Sequence, residues 1–234
     1  MEADHAHYDE INTMFSPEGR LLQVEYALKA VNRGSSITSL KYDKGVLLLA
    51  IKPQHSPLLE TNSQEKIFQL DHHIACTVSG IMADAYFLVE QARIDAQQYY
   101  FQYGEAISVK ELVDSISSYI HLFTQFEGVR PFGTTMIMAG VDDKGKQLFA
   151  TDPSGVFIGY KAFCAGNHKE TVHQFLLDNH VDDLSFKDGV KLGVQALQKT
   201  IKKPLPHFVI DVARIDYQHA YYHLSLKELE KILK

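Results

Sequence analysis

Twelve histidines, two cysteines and several paired carboxylates are the groups of this 234-residue chain best suited to chemistry. The histidines invite a metal reading, yet none falls in the His-Glu-x-x-His pattern, and no Cys-x-x-Cys pair accompanies them. His72-His73 stands in a turn between two expected strands and reads as a solvated pair. Asp142-Asp143 and Asp182-Asp183 read as turn carboxylates, since an acid–base pair needs a facing geometry that their spacing does not suggest. No phosphate loop or dinucleotide glycine motif is present, so neither a cofactor nor a metal is expected. Cys76 and Cys164 each lie inside an apolar run, as buried reduced thiols of a cytosolic or nuclear protein would. On its own, Lys66 after Glu65 reads as a surface lysine, and Lys202-Lys203 as a solvated helix end.

One stretch carries more information than any of these groups. Phe15-Ser16-Pro17-Glu18-Gly19-Arg20 reads as a tight turn feeding an amphipathic helix. Ser16 can cap orphan N–H groups, Pro17 is pre-set in φ, and Glu18 suits a helix N-terminus. Leu21, Val24, Leu28 and Val31 then recur at helical spacing, with Arg20, Glu25, Lys29 and Arg33 off that stripe.

The remaining elements follow from periodicity and punctuation. Ser35 to Tyr42 and Val46 to Lys52 form a hairpin around Asp43-Lys44-Gly45, and strands near Lys66–Leu70 and Ile74–Ser79 flank Asp71-His72-His73. A long helix after Gly80 presents Ile81, Ala85, Leu88, Ala92, Ala96 and Tyr99; a second presents Leu112, Ile116, Ile120 and Phe123. Strands Thr134–Val141, Gln147–Thr151 and Val156–Tyr160 come next, then helices near His168–Leu177 and from the capping-box-like Ser185-Phe186-Lys187-Asp188. Strands near His207–Ile215 and Ala220–His223 precede a last helix from Ser225. Hairpin connections argue for antiparallel sheets, hence an α+β fold.

Composition narrows the function classes. With 45% hydrophobic residues and no linker, the chain reads as one domain behind a short polar tail. A formal charge of −6 without a basic block argues against nucleic acid. The run Val46–Ile51 is far short of the about 20 residues a bilayer needs, and the acidic start is unlike a secretory signal, so a membrane is not expected.

The block from Phe15 to Ala27 closely resembles the N-terminal signature of proteasome α-type subunits. Further motifs match in the same order: Tyr8-Asp9, Gly34-Ser35-Ser36, Asn62-Ser63-Gln64-Glu65-Lys66-Ile67, Ser79-Gly80 with Ala83-Asp84-Ala85, Ala92-Arg93, Thr124-Gln125 with Val129-Arg130-Pro131-Phe132-Gly133, and Asp152-Pro153-Ser154-Gly155. The resemblance implies a four-layer α/β/β/α sandwich of two antiparallel sheets, the N-terminal-nucleophile hydrolase fold, with an added N-terminal helix. It divides the chain into a mobile gate tail, 1–14, and one domain, 15–234.

That fold requires catalysis to be weighed. In the family's active β-type subunits a freed Thr after Gly is the nucleophile, tuned by a Lys and an acidic residue. Here Ser35 follows Gly34 and Lys66 matches the Lys, but Ile51 occupies the expected acidic place. A free amine at Ser35 would also demand loss of a well-formed helix, so no catalytic residue is expected. An active peptidase cut before Ser35, and an assembly or adaptor protein sharing the fold, are the alternatives.

For an α-type subunit the resemblance implies ring and gate roles instead. Tyr8, Asp9, Pro17 and Tyr26 match the cluster that holds the tails open, and Glu10 departs from the Arg often found there. Lys66, beside Gly34 and Gly80, matches the lysine that receives the C-terminal carboxylate of an activator. Implied partners are other α-type subunits, alike or different, in a seven-membered ring, β-type subunits, an ATPase or other activator with C-terminal docking tails, and unfolded protein substrates. The implied location is cytoplasmic, and nuclear as well in a eukaryote.

Overall fold

Two five-stranded antiparallel sheets, stacked face to face with helices outside, make up this computed structural model, which describes residues 13–52, 58, 63–200, 210–218 and 220–234. The first sheet has the order β10-β9-β2-β1-β8 and the second β3-β4-β5-β6-β7. Their ranges are β1 Ile37–Tyr42, β2 Gly45–Ile51, β3 Ile67–Asp71, β4 Ile74–Gly80, β5 Thr134–Asp142, β6 Gly145–Thr151, β7 Phe157–Gly159, β8 Ala162–Ala165, β9 Ile210–Asp216 and β10 Tyr222–His223. The helices are α1 Leu22–Val31, α2 Met82–Tyr103, α3 Val109–Leu122, α4 Lys169–Asn179, α5 Phe186–Gln198 and α6 Leu226–Leu233.

The period-two alternation of each strand decides the layering. On β2, Val46, Leu48 and Ala50 turn toward the other sheet and meet Ile67, Ala75, Ile137 and Ala139. Leu47 and Leu49 point the opposite way, onto Val190, Val194 and Leu197 of α5 and Leu229 of α6. On β4 and β5, Ile74, Cys76, Val78, Met136 and Met138 face α2 and α3 through Ala85, Leu88, Ala92, Leu112 and Ile116. β2, β4 and most of β5 are thus buried on both faces, and the four-layer sandwich holds. Each fully buried leucine contributes about 1.5–3 kcal/mol relative to exposure.

Local signals fix several boundaries. Ser108 and Ser225 close capping boxes with Glu111 and Glu228, and Ser185 accepts from the Asp188 N–H as its spacing suggests. Two expectations need correction. Ser16 does not cap a helix: its hydroxyl stays inside the turn, donating to Glu18 at 2.7 Å and accepting from the Arg20 N–H at 3.3 Å, while α1 starts at Leu22 without a side-chain cap. Of the stripe expected on α1, Val24 and Val31 are buried, but Leu22 and Ala27 replace Leu21 and Leu28 as its other buried members. The strand β8 is an addition to the elements that periodicity predicts; it forms only because Ala162–Ala165 pairs with Leu40–Ile37 of β1.

The outer strands are short. β10, β8 and β7 have two, four and three residues, against nine for the central β5. On the remaining edge, β3, the Arg93 side chain donates to the Gln69 carbonyl at 3.0 Å.

Candidate functional site

A joint between α1, the end of β4 and the loop after β8 forms the floor of the site. The helix-ending carbonyl of Val31 accepts from Gly34 N–H at 2.9 Å, and Gly34 then lies directly against the backbone of Gly80. A Cβ on Gly34 would overlap the Gly80 amide nitrogen, so this approach requires glycine. Gly80 itself has φ +114°, and a Cβ there would overlap the Gly133 carbonyl, which instead accepts from the Ile81 N–H at 2.9 Å. The Ser79 hydroxyl sits between the carbonyls of Val31 and Ser35, at 3.3 and 3.0 Å. Asn167 closes the third side, its N–H donating to Gly34 O at 2.8 Å and its carbonyl accepting from the Ser36 hydroxyl at 2.6 Å.

Above this floor opens a cleft of 400 Å³, lined among others by Lys66, Gly34, Gly80, Met82, Asn167 and His168. Lys66, Gly34 and Gly80 are therefore brought together, as their sequence motifs imply. Lys66 is not the surface lysine its neighbours alone suggest: it is only 6% exposed. Its ammonium lies 2.9 Å from the Met82 sulfur, and among the described residues no carboxylate pairs with it. Burial pulls its pKa down from 10.5 to about 8. A buried ammonium at the wall of an open cleft, with no carboxylate partner among the described residues, is chemically an anion receptor.

Next to it lies a second groove, of 470 Å³, lined by Tyr26, Lys29, Ala30, Arg33 and Ile81 and sharing Gly34 and Gly80 with the first. Tyr26 is 39% exposed there, with the Lys29 ammonium 5.0 Å from its ring centre. Pro17 is exposed in the turn before α1, and Arg20 pairs with Glu25 beside it. Tyr8 and Asp9, and the departing Glu10, lie outside the described residues.

The joint has one further brace. Asp84, in the first turn of α2, receives both Arg130 guanidinium nitrogens at 2.6 and 2.7 Å and the Gly133 N–H at 2.8 Å. Burial raises the Asp84 pKa, but the hydrogen bonds from Arg130 and Gly133 outweigh it and hold the carboxyl below its ordinary range. Asp84 and Arg130 both belong to the motifs quoted above, yet nothing in those motifs signals their pairing across 46 residues.

The turn carboxylates behave as such. Asp142 accepts from the N–H groups of Val109 and Lys144, and Asp182 pairs with Lys161. His72 is exposed as expected, but His73 is turned inward, its ring nitrogen Nε2 2.9 Å from the Ile107 carbonyl. Ser35 follows α1, whose Leu22, Val24, Ala27 and Val31 are packed.

Comparison with known proteins accounts for this arrangement. The family described as "Proteasome subunit" matches residues 31–215, and the N-terminal signature of A-type proteasome subunits matches residues 8–30. The proteasome alpha subunit of Thermococcus onnurineus is 45% identical over 210 residues, covering 90% of this chain and 80% of the relative. The proteasome alpha subunits of Methanopyrus kandleri and Pyrococcus abyssi are 40% and 43% identical, each over 97% of this chain and 92% and 87% of their own. With the A-type signature on α1, a helix in place of a free nucleophile and two stacked antiparallel sheets, the chain belongs to the proteasome subunit family as a non-catalytic α-type member that assembles into the core ring with other proteasome subunits.

Proposed function

We propose that this subunit gates the admission of unfolded proteins to a proteolytic chamber and docks an activator at the Lys66 cleft. The observation that carries the reading is the buried ammonium of Lys66 above the Gly34–Gly80 floor, without a carboxylate partner among the described residues. A peptide carboxylate entering the cleft supplies the missing counter-charge and restores the proton affinity that burial removed. Such a C-terminus belongs to an ATPase or another activator with docking tails. Because the cleft and the Tyr26 groove share Gly34 and Gly80, an occupant of one touches the support of the other. Residues 1–14 then act as the gate tail, with Tyr8 and Asp9 meeting Pro17 and Tyr26 in the open arrangement, while residues 15–234 form the ring domain. β-type partners beneath cut the substrate, and the particle works in the cytoplasm.

The test uses the assembled ring and a C-terminal peptide of the cognate activator, compared with the same peptide amidated. A charge-assisted contact of about 1.5–3 kcal/mol corresponds to roughly ten-fold to hundred-fold tighter binding of the free acid. Lys66→Ala removes that preference. Equal binding of acid and amide, or an unchanged preference in the variant, overturns the docking role.

A further inference from the structure

The turn between β3 and β4 holds a three-donor cluster that lines neither the Lys66 cleft nor the Tyr26 groove. We propose that Asp71, His72 and His73 form a binding site for a divalent transition metal of the zinc type.

The geometry meets at one point. One ligand atom from each of the three residues lies within 4.8 Å of the other two. The His72 and His73 Nδ1 atoms are 3.4 Å apart, and Asp71 oxygens stand 3.0 Å from the first and 3.7 Å from the second. Two zinc–nitrogen bonds of about 2.0–2.1 Å at a tetrahedral angle place their nitrogens about 3.3–3.4 Å apart. The cluster therefore presents one edge of a tetrahedron at the right length, with a carboxylate oxygen beside it.

The second ring nitrogen of His73 fixes which atom is the ligand. Its Nε2 faces the Ile107 carbonyl at 2.9 Å, and a carbonyl can only accept, so Nε2 carries the proton. In the neutral ring Nδ1 is then a lone pair, directed at His72 and Asp71. A ligand imidazole whose other N–H is held by a backbone carbonyl is the usual support of a metal site. On His72, Nδ1 rests against the Asp71 carboxylate, and a metal ion displaces the proton shared there.

The cluster is also held in place before any ion arrives. A register shift between Gln69 and Asp71 re-aims Asp71 at the end of β3. The His72 carbonyl accepts from the Tyr221 N–H at 2.9 Å, and the His73 carbonyl from Val141 at 3.3 Å. These anchors come from beside β10 in one sheet and from β5 in the other, so both ligand backbones are fixed to the sandwich. A cleft of 420 Å³ opens over the two histidines and is bordered by Glu105, Glu111, Asp142 and Asp143. Those carboxylates favour the approach of a cation. Three protein donors would leave a zinc ion one further position for water. Two imidazoles and one carboxylate suit zinc rather than magnesium or calcium, which prefer all-oxygen sets.

The experiment titrates Zn²⁺ into the chelator-stripped, full-length protein by calorimetry, with Co²⁺ absorption as a geometric readout. One zinc per chain is expected, and Co²⁺ should show the intense visible bands of a tetrahedral site. His72→Ala and Asp71→Asn each weaken binding ten-fold or more. Saturating zinc raises the melting temperature of the wild type by roughly 5–10 °C at a hundred-fold excess over its Kd, and at the same zinc concentration raises that of His72→Ala by no more than about half as much. His72 is 66% exposed, so that variant folds normally and its binding is readable. Wild type and His72→Ala binding zinc equally, or no saturable site below about 1 mM, overturns the assignment.

Discussion

Replacing Lys66 by methionine should make the protein more stable while disabling the cleft it lines. Burial holds the lysine ammonium at about 8 rather than 10.5. That difference corresponds to roughly 3 kcal/mol of penalty on the charged form. Local relaxation reduces it, so a net gain of about 1–3 kcal/mol is expected for a side chain of similar length that sheds the charge. The pH dependence gives the sharper signature. Between about pH 8 and 10.5 the unfolded chain still holds the proton that the folded chain has lost. Wild-type stability therefore rises with pH across that window, through this group, and the penalty is fully present below it. The advantage of Lys66→Met should be largest at pH 7 and shrink steadily toward pH 10. Urea unfolding of both proteins at pH 7 and 9.5, at one fixed protein concentration, measures it. A variant no more stable than wild type at pH 7, or an advantage that ignores pH, refutes the picture of a desolvated, uncompensated ammonium. The same variant should lose discrimination between acid and amidated activator peptides, separating what the residue costs from what it recognises.

Three further outcomes follow from the joint and the core. Asp84→Ala leaves the Gly133 N–H and one face of Arg130 unpaired and should cost about 2–4 kcal/mol in urea unfolding at pH 7. Because the folded carboxyl is held below its ordinary range, the wild type loses this contribution as pH falls through and below about 4, and the gap between the two proteins closes there. Gly80→Ala drives a methyl group into the Gly133 carbonyl at φ +114° and should destabilise the fold by about 3 kcal/mol or more, read as a lowered melting temperature. Burial pushes the thiols of Cys76 and Cys164 up to about 12, so neither should react with Ellman's reagent at pH 8 until guanidinium unfolds the chain, when both should.

What can be read from the chain depends on whether a feature is local. The hairpin at Asp43-Lys44-Gly45 and the serine cap of α5 are encoded within a few residues, and each forms as its pattern predicts; of the face expected on α2, Ala85, Leu88, Ala92 and Ala96 are buried and Tyr99 packs beside them, while Ile81 is the exposed N-cap. β8 is not visible in this way, since Ala162-Phe163-Cys164-Ala165 has no alternation and owes its extended form to β1. Periodicity reaches antiparallel α+β and no further; the four layers come from the family resemblance. The Lys66 cleft is likewise legible only as a motif, because its floor is a contact between Gly34 and Gly80, 46 positions apart. The expectation of a solvated His73 fails for a related reason: the carbonyl that draws its ring inward belongs to Ile107, across a whole helix of sequence. A register shift in β3, rather than any signature spacing, brings its Nδ1 to Asp71 and His72.

The brevity of the outer strands bears on how ring-forming proteins of this kind avoid the wrong sort of polymer. A ring holds its members at high local concentration with sheets of identical handedness, the circumstance in which exposed strands zip together edge to edge. Here β10, β8 and β7 offer two, four and three residues, too few for a stable added strand. The longer β3 has one of its carbonyls already occupied by Arg93, and ends in the polar run Asp71-His72-His73. Among the described residues, then, backbone templating is blunted at every edge, and helices and loops rather than strand edges are the surfaces left open to a neighbour. Assembly can thus be selective about partner and stop at a closed circle, where strand addition would be indifferent to both.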